Sequence, residues 1–501
     1  MGPNVKNPAP VPPQSPAPAR VRRLALFVCA ATLALYARPL LFPVAAYDDW
    51  QILTQSWTWE GARAGLWVPQ NEHAMPLGRL LTYGLVRLAG RPTWVPYLAS
   101  AVGPAALLAG MGLLYLFVRR ELGHPFYGLA AMALFGVTAV YQQAVWWFAA
   151  AFSVLALDTT LLALLAAQRW RQTGRALYLD LAVAAAALAP AWFAVGVLAG
   201  PLCCLYLLMG NGEWGMGNEK QAPSSIPHSP FPIPHLRFSL LPLLGTALFL
   251  AVSLPRTAEA ILHLPHYEGK TALEAFDPRV GLGYTCRSVV DNLLLGVVGV
   301  WSFQVPIRYV VVVLAGLALA LAWWWRQAPR GRLVLLGLGF IGGSYLLIYS
   351  ARAAWPYEMM TQSIMSRYHL LPQLGLVLIV AGGLPGRNGR WFTLDESGAL
   401  TRRQARGLGL LVGACLLVQL PRGVAVYYTD HAAQQAALRR VEEADARCRE
   451  HHIDAATARA ALPRLEVPWT GEDFNGWCLL RGSPDPRPTT SDQARALLGA
   501  E

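Results

Sequence analysis

Charge is scarce in this 501-residue chain: 14% of its residues are charged, against about 25% in an average soluble domain. That deficit excludes an ordinary cytosolic enzyme. The seven cysteines show no zinc-site spacing, and no compact set of oxygen-bearing side chains suggests a metal cage. Matching halves are also absent, which weakens a transporter built from repeats. What the chain has instead is apolar length, with 55% hydrophobic residues and long runs recurring from 22 to 421. The expected fold class is an all-α polytopic membrane protein, a bundle of about eleven transmembrane helices. With 37 prolines and 45 glycines, many helices must be interrupted. Irregular backbone survives at membrane depth only inside protein or beside a wet cavity, so a cavity is expected.

The net charge of +12 could suggest nucleic acid. The arginines, however, fall in short clusters between apolar runs, where positive residues mark cytoplasmic loops, and no nucleic-acid partner is expected. The clusters are Arg119 and Arg120; Arg169, Arg171 and Arg175; Arg326, Arg330 and Arg332; and the arginines at 387, 390, 402, 403 and 406. Placing all four inside requires that the apolar stretch 289–306, which carries Asp291, Asn292 and Gln304, lie on the outer face without crossing. Spans are then expected near 24–44, 94–118, 126–142, 149–167, 176–190, 191–209, 237–254, 308–325, 333–350, 369–384 and 407–421. The chain divides into a proline-rich disordered cytoplasmic arm (1–20), a transmembrane domain (21–421) and an extracytoplasmic tail (422–501). Within the domain, 47–97 forms the first outer loop and 210–236 a low-complexity cytoplasmic insertion. The protein is expected in the cell inner membrane with its N-terminus cytoplasmic. If the tail is outside, an oxidising compartment would allow Cys448 and Cys478 to pair, with Cys286 as a competitor.

Chemistry-bearing residues concentrate in the outer segments. YDDW at 47–50 places Asp48 and Asp49 at the membrane surface directly after the first span. Adjacent carboxylates diverge on a helix, so one is expected to act on substrate while the other holds structure. The alternative is an acidic helix start, since Asp is favoured at N-caps. Further on, NEHAMPLGR at 71–79 brings Glu72, His73 and Arg79 to the start of a helix. Pro76 suits its first turn, and Leu77, Leu80, Leu81, Gly84, Leu85 and Leu88 make one apolar stripe. Arg79 and Arg87 fall off the stripe and are expected near headgroups. A helix N-terminus with His and Arg beside it suits phosphate; the plainer alternative is an interfacial helix with polar flanks. Late in the bundle, SRYH at 366–369 sets Arg367 and His369 before a span, with Arg352 nearby in sequence. An outer arginine can hold a lipid phosphate in a bidentate contact or simply snorkel to fix the height of its span. Trp146 and Trp147 are expected as interfacial anchors. Asp158 lies inside a span, where a carboxylate is costly and often functional. With Asp180 and Asp291 it supports the alternative of a transporter or lipid flippase.

Taken in order, YDDW, NEHAMPLGRLL, QQAVWW at 142–147 and SRYHLLP at 366–372 resemble the GT-C superfamily of integral-membrane glycosyltransferases, over roughly residues 20–385. The likeness is to its mannosyltransferase and aminoarabinose-transferase branches. The resemblance implies transfer of a sugar from a polyprenyl-phosphate donor, held among membrane lipid, to an acceptor hydroxyl on a lipid, glycan or protein at the outer face. Asp49 or Asp48, with Asp49 favoured, would be the base. Arg367 with Arg79, and His73 or His369, would meet the charge on the departing phosphate. Some branches carry an Arg-Asp pair after the tryptophan matching Trp147, whereas this chain has AAAFS at 149–153. The resemblance leaves the metal open: it specifies no cofactor, and a divalent cation is compatible with it.

Overall fold

A computed structural model describes residues 19–41, 48–70, 73–90, 94–209, 237–262, 274–300, 306–327, 331–353, 365–383 and 400–424. The arm before residue 19, the insertion 210–236, Glu72, and the tail from 425 with Cys448 and Cys478 lie outside them. The described residues are helical and contain no strand, only an isolated bridge between Gln70 and His73. The protein is an all-α polytopic membrane protein.

The helices are α1 (Ala19–Leu41), α2 (Asp48–Gln55), α3 (Trp59–Gly65), α4 (Pro76–Ala89), α5 (Val95–Leu122), α6 (Pro125–Gly136), α7 (Gln142–Trp146) and α8 (Phe148–Thr173). They continue with α9 (Ala176–Trp192), α10 (Ala199–Leu208), α11 (Leu241–Leu262), α12 (Pro278–Arg287), α13 (Ile307–Gln327), α14 (Gly331–Arg352), α15 (Leu370–Gly383) and α16 (Arg402–Val424). A helix meets each of the eleven expected apolar runs. Among the described residues, five stretches are each long and apolar enough to cross a membrane: α5, α8, Arg237–Ala258, α14 and α16. The stretch after α12 takes a different form. It continues as a π-helical turn, Ser288–Leu294, and a short turn Leu295–Val297, then stops at Gly299 with φ 81°.

Local chemistry explains where the spans end. α5 closes on Gly123, whose left-handed φ of 76° suits a residue without Cβ. The next residue, His124, caps α6 by accepting the Phe126 amide on Nδ1, and Pro125 fills the first helical position. Two residues thus reverse the chain between α5 and α6, and Gly174 does the same between α8 and α9. At the crossing of α14 and α15, Gly337 and Gly375 face each other so closely that a Cβ on Gly337 would stand 2.4 Å from the Gly375 carbonyl oxygen.

One end of the bundle is held by a buried polar cluster. Glu121 of α5 pairs with Arg332 of α14 and accepts hydrogen bonds from Gln168 of α8 (2.8 Å) and the Tyr206 hydroxyl of α10. Arg171 lies over the Tyr206 ring, 4.9 Å from its centroid. Because Glu121 is almost fully buried, removing it strands three donors. Glu121→Ala should cost about 3 kcal/mol, seen as a lower Tm of the purified protein, with Glu121→Gln intermediate.

This end also gathers the arginines. Arg119 and Arg120 close α5, Arg169 and Arg171 lie in the last turns of α8, and Arg332 begins α14. Arg20, at the start of α1, donates to the Leu400 carbonyl just before α16, whose first turns carry Arg402, Arg403 and Arg406. The opposite end is tied by Gln419 of α16. Its Oε1 accepts from the Ala139 amide (2.9 Å), and its Nε2 donates to the carbonyls of Gly296 and Val297 (2.8 Å each).

Candidate functional site

The junction between α7 and α8 is the meeting point of distant parts of the chain, at the end of the bundle away from the arginine clusters. Trp147 is extended there (φ −87°, ψ 117°), so α8 begins with no capping side chain of its own. A carboxylate from another helix supplies the cap: Asp49 Oδ1 accepts the Ala149 amide at 2.7 Å. Asp49 is 1% exposed, and its negative charge at a helix N-terminus stabilises by about 0.3–2 kcal/mol. Asp48 opens α2 one residue earlier.

From the other side, the short 3-10 turn Ser366–His369 packs on α7. The Ser366 hydroxyl accepts the Gln143 amide (3.0 Å). Arg367 then lays its guanidinium between two rings, 5.0 Å from the Trp147 centroid and 4.8 Å from that of Tyr368. Such contacts with aromatic faces contribute about 0.5–2 kcal/mol each, and they hold a half-buried cation still without neutralising it. Asp49 and Arg367 therefore meet the same turn two residues apart.

Behind Arg367 lies an aromatic wall. The Tyr284 hydroxyl is within electrostatic reach of Tyr368, Arg352 and Arg367. Burial pushes that hydroxyl up from the ordinary tyrosine range, Tyr368 adds to the rise, and the two arginines oppose it; it remains a neutral donor. His369 is fully buried and shares a 2.9 Å hydrogen bond from Nδ1 with the Tyr345 hydroxyl. It braces the wall rather than lining an open surface. Arg352, at the end of α14, is 7% exposed.

The segment before and within α4 carries the other expected residues. His73 is half-buried, with its ring 4.2 Å from that of Phe193 at the end of α9. Arg79 differs from the headgroup position expected of it: it is 1% exposed. It packs along α3, where its Cδ, Nε and Cζ lie 3.4–3.7 Å from where a Cβ on Gly65 would stand, an ordinary contact distance. Gly78 likewise lets α4 lie on Phe152 in the first turn of α8, where a Cβ would come within 2.9 Å of the ring.

The rest of the expected constellation is dispersed. Asp158 is buried in α8 with Oδ1 against Gly110 of α5, Asp180 is exposed on α9, and Asp291 is buried in the π-helical turn. Among the described residues, no three His, Cys, Asp or Glu side chains cluster to hold a metal ion. Pattern alone passes over Trp147, Tyr284, Tyr345 and Tyr368. Tryptophans at a span end read as interfacial anchors, and only the position of Arg367 gives Trp147 another role.

α7 reaches its place because Gly103 of α5 has no side chain. A Cβ there would sit 1.8 Å from the Val145 carbonyl oxygen. Gly103→Ala must push α7 away, at a cost of about 1–3 kcal/mol. The change should be seen as a lower Tm of the purified protein.

No family model matches this sequence, and no curated protein matches it. Among solved structures, the crystal structure of ArnT from Cupriavidus metallidurans bound to undecaprenyl phosphate is similar over 96% of this chain and 76% of that one, with 15% sequence identity and a TM-score of 0.38.

Proposed function

We propose that the protein is a membrane glycosyltransferase that moves a sugar from a polyprenyl-phosphate donor to an acceptor hydroxyl at the α7–α8 junction. The observation that carries this reading is the approach of Asp49 and Arg367 to one turn, Trp147–Ala149, from opposite ends of the sequence. Asp49 anchors YDDW at the turn that Arg367 also reaches, and an acidic motif beside a fixed cation suits a displacement in which one group loses a proton and the other gains negative charge.

In the proposed reaction the acceptor hydroxyl gives its proton to a carboxylate of YDDW as its oxygen attacks the anomeric carbon. The bond from that carbon to the phosphate oxygen breaks on the opposite side, and the sugar inverts. Asp49 is already engaged in capping α8, so the base role goes to Asp48, with Asp49 as the positioning residue. General-base help typically contributes 10²–10⁴-fold. Arg367, supported by Arg352 and the Tyr284 hydroxyl, stabilises the departing phosphate. Fixed donors aimed at developing charge often lower a barrier more than any other single device. The gathering of arginines at the other end of the bundle supports a cytoplasmic position for that end by the positive-inside rule, and with it a site on the exoplasmic face of the inner membrane.

The test is transfer of labelled sugar from a polyprenyl-phosphate sugar by purified protein. Absence of transfer across a panel of such donors and acceptors, with folded protein, overturns the proposal. A second reading, a transporter or lipid flippase, draws on the Asp158 Oδ1, which is buried without a hydrogen-bond partner among the described residues. Flux into liposomes that disappears in Asp158→Asn would favour it.

A further inference from the structure

One buried charge takes no part in the proposed reaction. Arg422, in the last turn of α16, is 3% exposed, and its Nε and Nη1 are buried with no hydrogen-bond or ion-pair partner among the described residues. A guanidinium does not shed its proton in proteins, and an uncompensated buried charge is strongly destabilising. The charge therefore calls for an anion. Its surroundings hold the guanidinium in place. Gly296, at the end of the π-helical segment, has no side chain, and a Cβ there would fall 2.6 Å from Nη1 and 3.1 Å from the Val140 side chain. Tyr36 of α1 is close enough to interact electrostatically with the guanidinium, while its hydroxyl donates to the Thr138 carbonyl at 2.8 Å.

A second unsatisfied atom narrows the chemistry. Gln142 donates from Nε2 to the Gly423 carbonyl (2.8 Å), but its Oε1 is buried without a hydrogen-bond partner among the described residues. That oxygen lies 3.8 Å from where Gly423, the residue after Arg422, would carry a Cβ. A ligand with both a negative oxygen and a hydroxyl would satisfy the pair. A phosphate monoester, whose second pKa is about 6, provides both near neutral pH. Gln142 opens α7 and Trp147 follows its end; five residues at 1.5 Å each separate them by about 7 Å.

We propose that Arg422, walled by Gly296, Val140 and Tyr36 and accompanied by Gln142, binds a phosphate group, free or on a lipid headgroup, at a site separate from Arg367. The inference is independent of the transfer reaction, because it concerns binding alone.

The test uses the full chain purified in a maltoside detergent, which carries no phosphate. Equilibrium binding of inorganic phosphate, and separately of phosphatidic acid in mixed micelles, is measured for the wild type, Arg422→Gln, Gly296→Ala and Arg367→Ala. The expected result is an Arg422-dependent binding event weakened on the order of tenfold or more in Arg422→Gln, weakened in Gly296→Ala, and retained in Arg367→Ala. Binding of phosphatidic acid alone assigns the site to a lipid headgroup, and binding of inorganic phosphate assigns it to the free ion. Gly296→Ala keeps the arginine and so provides the test if Arg422→Gln fails to fold. Unchanged binding in both variants, or no binding of either probe by the wild type, overturns the proposal.

Discussion

Asp48→Asn should lower the rate of sugar transfer by about 10²–10⁴-fold with little change in Tm, the loss expected when a general base is removed. Asp49→Asn should behave differently. Asn is as good a cap as Asp, and its side-chain oxygen can still accept the Ala149 amide that Asp49 accepts. That variant should stay folded and lose less than about tenfold in rate, because only the favourable charge at the helix end is removed. Asp49→Ala removes the acceptor as well and should cost about 1–2 kcal/mol. Single-turnover rates with saturating donor, together with Tm for the three variants, check the assignment. If Asp49→Asn is inactive while folded and Asp48→Asn is active, the roles of the two carboxylates are exchanged.

Arg367→Ala is the second large effect. Removing a fixed donor from developing charge typically costs about 10²–10³-fold in kcat, and the same is expected here with a smaller rise in KM for the donor. Arg367→Lys should recover little. The guanidinium lies between the Trp147 and Tyr368 rings, where a planar, weakly hydrated cation packs and a compact ammonium does not. Trp147→Leu should reproduce part of the loss by freeing the arginine, whereas Trp146, buried at 6% exposure in α7, should affect Tm more than rate. A rate unaffected by Arg367→Ala would remove the cation from the mechanism.

How much of this was legible in the sequence depends on how far apart the partners are. The apolar helices follow from hydropathy and length alone, and the start of α4 follows from Pro76, because those signals are local. YDDW and SRYH stand out for the same reason, as polar groups beside apolar runs. The Asp49 cap does not, since it reaches across 100 residues to Ala149. Nor does the depth of Arg79, whose off-stripe position predicts solvent while α3, distant in the pattern, packs against it. The wall behind Arg367 brings together α12, α14 and the turn before α15, and no periodicity in any one of them announces the others.

Gln419 also bears on how the chain can be shortened. One amide side chain serves the open backbone at the end of α6 and at the close of the π-helical segment. A chain truncated after Val424 retains this peg, whereas one ending at residue 418 leaves those main-chain groups without their partner in a region where water is scarce. Topology reporters and affinity tags are therefore best fused downstream of Val424.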